Sequence, residues 1–263
     1  MKHARVIYEG REHTGTSHEW NGLPDAAVRL QDGRVVPQEH LTWLPPLAPT
    51  PRPRTILALG LNYADHAKEL EFKAPEEPLV FVKGQATLTG HRQKTFRPAG
   101  VQFMHYECEL AIVVGKTARK VKHEDAFDFI GGYTVANDYA IRDYLENWYR
   151  PNLRVKNRDG GTVLGPWFVD AADIATPVQL NLGTLVNGTQ TQSGNTRDMI
   201  HDVASLIEYL SAFMTLGPGD VILTGTPKGS VDVKAGDEVV CEVEGVGRLV
   251  NRLVDDWTPA PGG

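Results

Sequence analysis

Apolar residues recur every three or four positions over residues 199–214, where Ile200, Val203, Leu206, Ile207, Leu210, Phe213 and Met214 form one stripe. That period predicts the clearest helix of the chain, its stripe packed into a core. Elsewhere short β-branched and aromatic runs stop at glycine, proline or asparagine, as strands do. Residues 5–8 and 27–30 predict strands, with Asp32-Gly33 as a hairpin signal before Val35. Strands are also predicted over 55–59, 79–83, 105–115, 133–136, 178–182, 183–187 and 221–224. Asn187-Gly188 is a second hairpin turn, and residues 237–254 read as a long hairpin turning at Gly245-Val246-Gly247. Shorter helices are predicted over 63–72, N-capped by Asn62 with Asp65 as a capping partner, and over 123–129 and 140–148.

Prolines 45, 46, 49, 51 and 53 crowd one segment. Each fixes φ and lacks an amide donor, so the segment is an extended connector. It divides a small amino-terminal β unit, residues 1–50 with the connector, from a main domain over residues 51–258. Residues 259–263 are expected to be a disordered tail.

The stretch that organises the rest is His105-Tyr106-Glu107-Cys108-Glu109-Leu110-Ala111-Ile112-Val113-Val114-Gly115. Side chains two apart share a strand face, so Glu107 and Glu109 project together. Ala111 and Val113 continue their face, while Met104, Tyr106, Leu110 and Ile112 make the other apolar. Two adjacent carboxylates in a buried strand repel each other and lose solvation unless a positive charge lies between them. A divalent metal is the simplest answer; a solvated edge strand is the plain alternative. Asp138, at the end of a predicted strand, is a third carboxylate that could reach such a site or could serve only as a helix cap.

His66 and Glu69 stand three apart on the first predicted helix, hence on one face. The pair suits acid–base work, with Glu69 orienting the imidazole, but it also suits an incidental surface contact. Arg154, Lys156 and Arg158 fall on one face if that segment is extended. They are either a solvated cationic face or a wall for a substrate bearing several carboxylates. Gly225-Thr226-Pro227-Lys228-Gly229 follows a strand and could hold an anion on its amides, although it is not a nucleotide loop because no helix follows.

Composition narrows the partners. At 263 residues with a formal charge of −6, nothing points to nucleic acid or an anionic membrane. No apolar run approaches a membrane span, and the start is polar, so a cytoplasmic protein is expected. The two cysteines, Cys108 and Cys241, are expected to be reduced core thiols.

Together these motifs resemble the fumarylacetoacetate hydrolase superfamily. The resemblance is carried by Gly60-Leu61-Asn62-Tyr63-Ala64-Asp65-His66, the Glu107/Glu109 strand, Gly131-Gly132-Tyr133 through Asn137-Asp138, Leu164-Gly165-Pro166 and Gly225-Thr226-Pro227-Lys228-Gly229, in the family's order. Asn137-Asp138-Tyr139-Ala140-Ile141-Arg142 and Arg150-Pro151-Asn152-Leu153-Arg154-Val155-Lys156 look most like the branch acting in homoprotocatechuate catabolism. The resemblance implies an α+β, mainly β fold: mixed sheets rolled around the site, a few peripheral helices and a small amino-terminal β appendage. It implies Mg²⁺ or Mn²⁺ held by Glu107, Glu109 and Asp138. It implies a His66–Glu69 dyad on a lid helix, an active-site Lys156, and Arg142 and Thr226 holding a substrate carboxylate.

The implied activity is decarboxylation and isomerisation of 2-oxo di- and tricarboxylates. The alternatives are hydrolysis of acylpyruvates or fumarylacetoacetate-like diketones, an oxaloacetate-type decarboxylation, or a non-catalytic relative. The branch often carries two fused copies and this sequence shows one, so the implied assembly is a homodimer or a pairing with a paralogous subunit. Asn157 and Gly161-Thr162-Val163 depart from the pattern around the lysine, where substrate choice could be tuned.

Overall fold

The computed structural model describes residues 1–69, 71, 73, 75–145 and 152–256. Its first strands are β1 (Lys2–Tyr8), β2 (Arg11–Trp20), β3 (Leu23–Leu30), β4 (Val35–Pro37) and β5 (Thr42–Leu44). After the proline connector come β6 (Ile56–Gly60), α1 (Ala64–Glu69), β7 (Leu79–Lys83), β8 (Leu88–Gly90), β9 (Lys94–Arg97), β10 (Met104–His105) and β11 (Cys108–Val114). The chain continues through β12 (Ile130–Asp138), β13 (Ala140–Ile141), α2 (Leu153–Lys156), β14 (Thr162–Asp170), β15 (Asn181–Val186) and β16 (Thr189–Asn195). It closes with α3 (Val203–Phe213), β17 (Val221–Leu223), β18 (Glu238–Val243) and β19 (Gly247–Asp255).

The large sheet runs β4-β3-β2-β1-β14-β12-β11-β17-β6-β7, with β5 beside β1 and β8 beside β14. A second sheet runs β16-β15-β18-β19-β9. Three pairs are parallel (β17 with β6, β14 with β8, β19 with β9) among antiparallel neighbours, so the sheets are mixed. This is the mainly β, α+β roll with few helices that the motifs imply. The amino-terminal strands join the rest through Lys2↔Val169 and His3↔Phe168.

Period-two alternation sorts the large sheet into two faces. Tyr106, Cys108, Leu110 and Ile112 point into the main core with Leu57, Leu59, Tyr133, Val135 and Ile222, against the second sheet and α3. Ala111 and Val113 point the other way, with Ile56, Ala58, Phe81, Ala136 and Leu223. Glu109, Asp138 and Lys83 are in phase with this second set, so three strands deliver their charged side chains to one side of the sheet.

The predicted helix over 199–214 is α3, and it starts later. Thr196–Asp198 forms a 3₁₀ turn, the Ile200 amide bonds the Asn62 carbonyl, and Asp202 caps the helix by accepting from the Ser205 amide at 2.8 Å. Val203, Leu206, Ile207 and Leu210 are buried, each such side chain stabilising by roughly 1.5–3 kcal/mol relative to exposure. Phe213 is exposed, so the stripe loses contact with the core at its end.

Other elements differ from expectation. Residues 178–187 are not two strands but one, β15, the Leu180 amide before it donating to the Thr196 hydroxyl at 2.9 Å rather than to a ladder partner. The helix over 140–148 begins as β13, paired with β10, followed by a single 3₁₀ turn Arg142–Tyr144. Residues 146–151, 70 and 72, and the expected tail at 259–263, lie outside the described residues. β2 was not predicted: its sequence is polar and it is ordered by backbone pairing from His3↔Thr16 to Tyr8↔Arg11.

Strand β7 is the edge of the large sheet. Its outer side is met by Asn157, whose Oδ1 accepts from the Gly84 amide at 2.7 Å and whose Nδ2 donates to the Val82 carbonyl at 3.3 Å.

Candidate metal centre

Glu107 immediately precedes β11 and Glu109 lies within it. The register Cys108↔Asn137 and Glu109↔Ala136 sets Asp138 opposite Glu107, and the Asp138 amide donates to the Glu107 carbonyl at 3.0 Å. One carboxylate oxygen from each of Glu107, Glu109 and Asp138 lies within 4.8 Å of the others, and all three residues are buried. Lys156 donates to Glu107 Oε2 at 2.5 Å and to Asp138 Oδ2 at 3.0 Å. Lys83, fully buried on β7, donates to Asp138 Oδ1.

Two lysine side chains therefore face three carboxyl groups; burial pulls Lys83 below the usual lysine range, with Asp138 opposing it. Glu109 Oε2 accepts from the Gly225 amide at 2.6 Å, while its buried Oε1 has no partner among the described residues. Burial, then the Asp138 and Glu107 charges, push the Glu109 carboxyl well above its usual range. Burial alone would discharge Lys156, but Asp138, Glu107 and Glu109 outweigh it and hold the ammonium protonated. An oxygen-only donor set, three buried carboxyl groups held together and an orphaned carboxylate oxygen fit a hard divalent cation. The residues present therefore suit the group that the resemblance implies.

His66 Nδ1 lies 3.1 Å from Glu69 Oε2 on α1. The other oxygen of Glu69 accepts from the Gly229 amide at 3.1 Å. The Gly-rich loop thus uses its amides on the protein's own carboxylates, Gly225 on Glu109 and Gly229 on Glu69. Both positions need glycine: φ is +91° and +106°, and a Cβ would meet Asn62 at 2.9 Å or the Thr191 carbonyl at 2.3 Å. Asn62 does not cap α1. Its amide bonds the Thr224 and His201 carbonyls and the His201 amide, tying the turn after β6 to the end of β17.

One cavity brings His66, Glu107, Lys156, Arg142 and Thr226 together, walled by Leu59, Leu79, Phe81, Leu145 and Val155. Arg142 packs over the Phe103 ring, 4.5 Å to its centroid. Its Nε and Nη2, which form one edge of the guanidinium, are buried without a partner among the described residues. The cationic wall is corrected: Leu153–Lys156 is helical, so the alternation fails. Arg154 stacks on Tyr144, and Arg158 pairs with Asp256 at the surface; neither lines the cavity.

Three contributors were not found from the sequence. Lys83 ends an apolar run and looked like a strand terminus, and only the antiparallel pairing Ile56↔Lys83 aims it at Asp138. His105 lines the cavity; burial, then Lys156 and Arg142, keep its ring neutral, with Nδ1 3.1 Å from the Tyr106 carbonyl. Gln192 sits beneath the Gly-rich loop. A polar residue in the polar strand Thr189–Asn195 gave no signal of burial.

Residues 55–254 match the family described as Fumarylacetoacetate (FAA) hydrolase C-terminal. The chain is 60% identical over 216 residues to a 4-hydroxyphenylacetate degradation bifunctional isomerase/decarboxylase from Salmonella dublin, covering 82% of this chain and 49% of that one. It thus spans about half the length of that curated relative. A solved 5-carboxymethyl-2-hydroxymuconate delta-isomerase from Mycobacterium smegmatis superposes with a TM-score of 0.81 at 36% identity, covering 98% of this chain and 100% of that one. Fumarylpyruvate hydrolase from Pseudomonas aeruginosa, solved with Mn²⁺ and pyruvate, has a TM-score of 0.72 at 28% identity, covering 80% and 94%.

Proposed function

Because the chain belongs to the fumarylacetoacetate hydrolase family, we propose that it is a metal-dependent isomerase and decarboxylase of 2-oxo di- and tricarboxylates from aromatic catabolism. Glu107, Glu109 and Asp138 would hold Mg²⁺ or Mn²⁺, which when bound supplies Lewis acidity toward the oxygen of a 2-oxo acid. The remaining work falls to the chain's own side chains. The open edge of Arg142 takes a remote carboxylate as a bidentate pair, and Thr226 takes a second contact. The apolar walls exclude water from the carbon skeleton. Loss of CO₂ leaves the bond's electron pair in a dienolate, and loss of a C–H proton gives the same type of anion. His66 delivers or removes the proton at carbon, with Glu69 fixing the ring and stabilising its charge. Lys156, held protonated, stabilises developing negative charge beside Glu107.

In this reading residues 51–258 are the catalytic unit and residues 1–50 an appendage. The protein acts in the cytoplasm as a homodimer or beside a paralogous subunit, a second unit being suggested by the length of the Salmonella relative. The observation that carries the proposal is the buried acidic triad, with its unpartnered Glu109 oxygen, whose member Glu107 lines the same cavity as His66 and Arg142. The test is incubation with 5-oxopent-3-ene-1,2,5-tricarboxylate and Mn²⁺, following CO₂ and ultraviolet absorbance. CO₂ release with a shifted chromophore supports it. Silence on this substrate together with cleavage of an acylpyruvate would replace it with the hydrolase reading, in which the same dyad activates water.

A further inference from the structure

We propose that Gln192 is a positioning residue that sets the direction of the Thr226 hydroxyl, turning its proton toward the carboxylate of a 2-oxo acid in the cavity; this rests on the functional reading above. Gln192 is 1% exposed on β16, and every polar atom of its amide is engaged. Its Oε1 accepts from the Cys108 amide at 3.4 Å and from the Thr184 hydroxyl at 2.7 Å. Its Nε2 faces the Pro227 carbonyl at 2.8 Å, Thr226 Oγ1 at 3.1 Å and Ser230 Oγ at 3.3 Å. A backbone amide can only donate and a carbonyl can only accept. Cys108 and Pro227 therefore fix which end of the Gln192 amide is oxygen and which is nitrogen.

The consequence falls on Thr226. Gln192 Nε2 has two protons for these three acceptors: the Pro227 carbonyl takes one and the other lies nearer Thr226 Oγ1 than Ser230 Oγ, so the Thr226 oxygen accepts and its own proton points elsewhere. Thr226 is 2% exposed and lines the cavity, and among the described residues its hydroxyl donates to no protein acceptor. The remaining direction is the cavity, where an anion would accept it. The same amide spans both ends of the loop, from Thr226 and Pro227 to Ser230, whose hydroxyl donates to the Tyr106 carbonyl at 3.2 Å. Gln192 therefore locks the loop against β11, the strand that carries Glu109.

The test is titration calorimetry of oxalate in saturating Mn²⁺ against wild type, Gln192→Glu, Thr226→Val and the double variant, with separate Mn²⁺ titrations and melting curves. A glutamate at 192 is nearly isosteric but only accepts when ionised, so the Thr226 proton turns toward it and away from the cavity. Each single variant should weaken oxalate by about tenfold or more, the size of one hydrogen bond to a charged group. The double variant should be no weaker than Thr226→Val, with Mn²⁺ affinity unchanged throughout. Gln192→Met, which removes the donor without adding charge, should give a smaller loss and serves if the glutamate variant does not fold. The proposal is overturned if oxalate binds both Gln192 variants as it binds wild type, or if the two losses multiply. Failure of wild type itself to bind oxalate would refute the functional reading instead.

Discussion

Two buried polar regions lie on opposite faces of β11, and they are satisfied by different means. On one face, Glu107, Glu109 and Asp138 face Lys83 and Lys156, so ions compensate ions and one carboxylate oxygen stays open. On the other, Gln192, Thr184 and Ser230 share neutral hydrogen bonds, and each atom of the central amide has a partner. The contrast teaches where an open valence is affordable. A buried neutral group gains nothing from an unmade bond, whereas a charged cluster can hold one in reserve for a cation, because its other members keep the net charge small.

The comparison can be pressed hardest at the charged face. His66→Ala should lower turnover by about 10²–10⁴ while leaving Mn²⁺ affinity unchanged, since in the proposed mechanism the imidazole moves protons and holds no metal. Steady-state rates alongside metal titration check this, and an unaltered rate removes His66 from the mechanism. Lys83→Met should cost roughly 3–5 kcal/mol of stability, because it strips the buried Asp138 carboxylate of one of its two lysine partners. Added Mn²⁺ should raise the melting temperature of this variant more than that of wild type, as the cation replaces the lost charge. Equal metal shifts in both proteins would show that Lys83 does not balance the triad.

The smallest effect concerns a buried neutral group elsewhere, His91. Burial, then Arg92, hold its ring down at about 3, and it packs edge-on to Trp43 with Nδ1 accepting from the Val250 amide. The unfolded chain takes up this proton below about pH 6.5 while the folded one does not. Folding stability should therefore fall with pH, by about 2 kcal/mol between pH 7 and pH 5. His91→Phe should flatten that part of the profile in denaturant titrations; a slope identical to wild type would show that other groups carry it.

Much of the candidate site could be read from the sequence because its residues sit on regular periods. Glu107 and Glu109 alternate in a run of β-branched residues, and His66 and Glu69 share a helix face. Asn187-Gly188 and Gly245-Val246-Gly247 mark their turns by composition. What escaped was set by tertiary pairing. Lys83 and Gln192 look like surface residues until strand register turns them inward. Asn62 looks like a cap until the segment around His201 claims its amide. The basic residues after 152 fit an extended wall until Leu153–Lys156 closes a helical turn, which sends Lys156 inward and leaves Arg154 on Tyr144. Strand β2 shows the converse, an ordered element whose polar side chains carry no pattern to find.

The contact between Asn157 and strand β7 has a meaning beyond local order. A primary amide carries a donor and an acceptor in the same arrangement as a peptide group, so this one side chain imitates a short piece of an adjoining strand. Where the sheet would otherwise present a raw margin to passing chains, it meets its own plug. The residue that follows Lys156 thus also closes part of an open sheet edge.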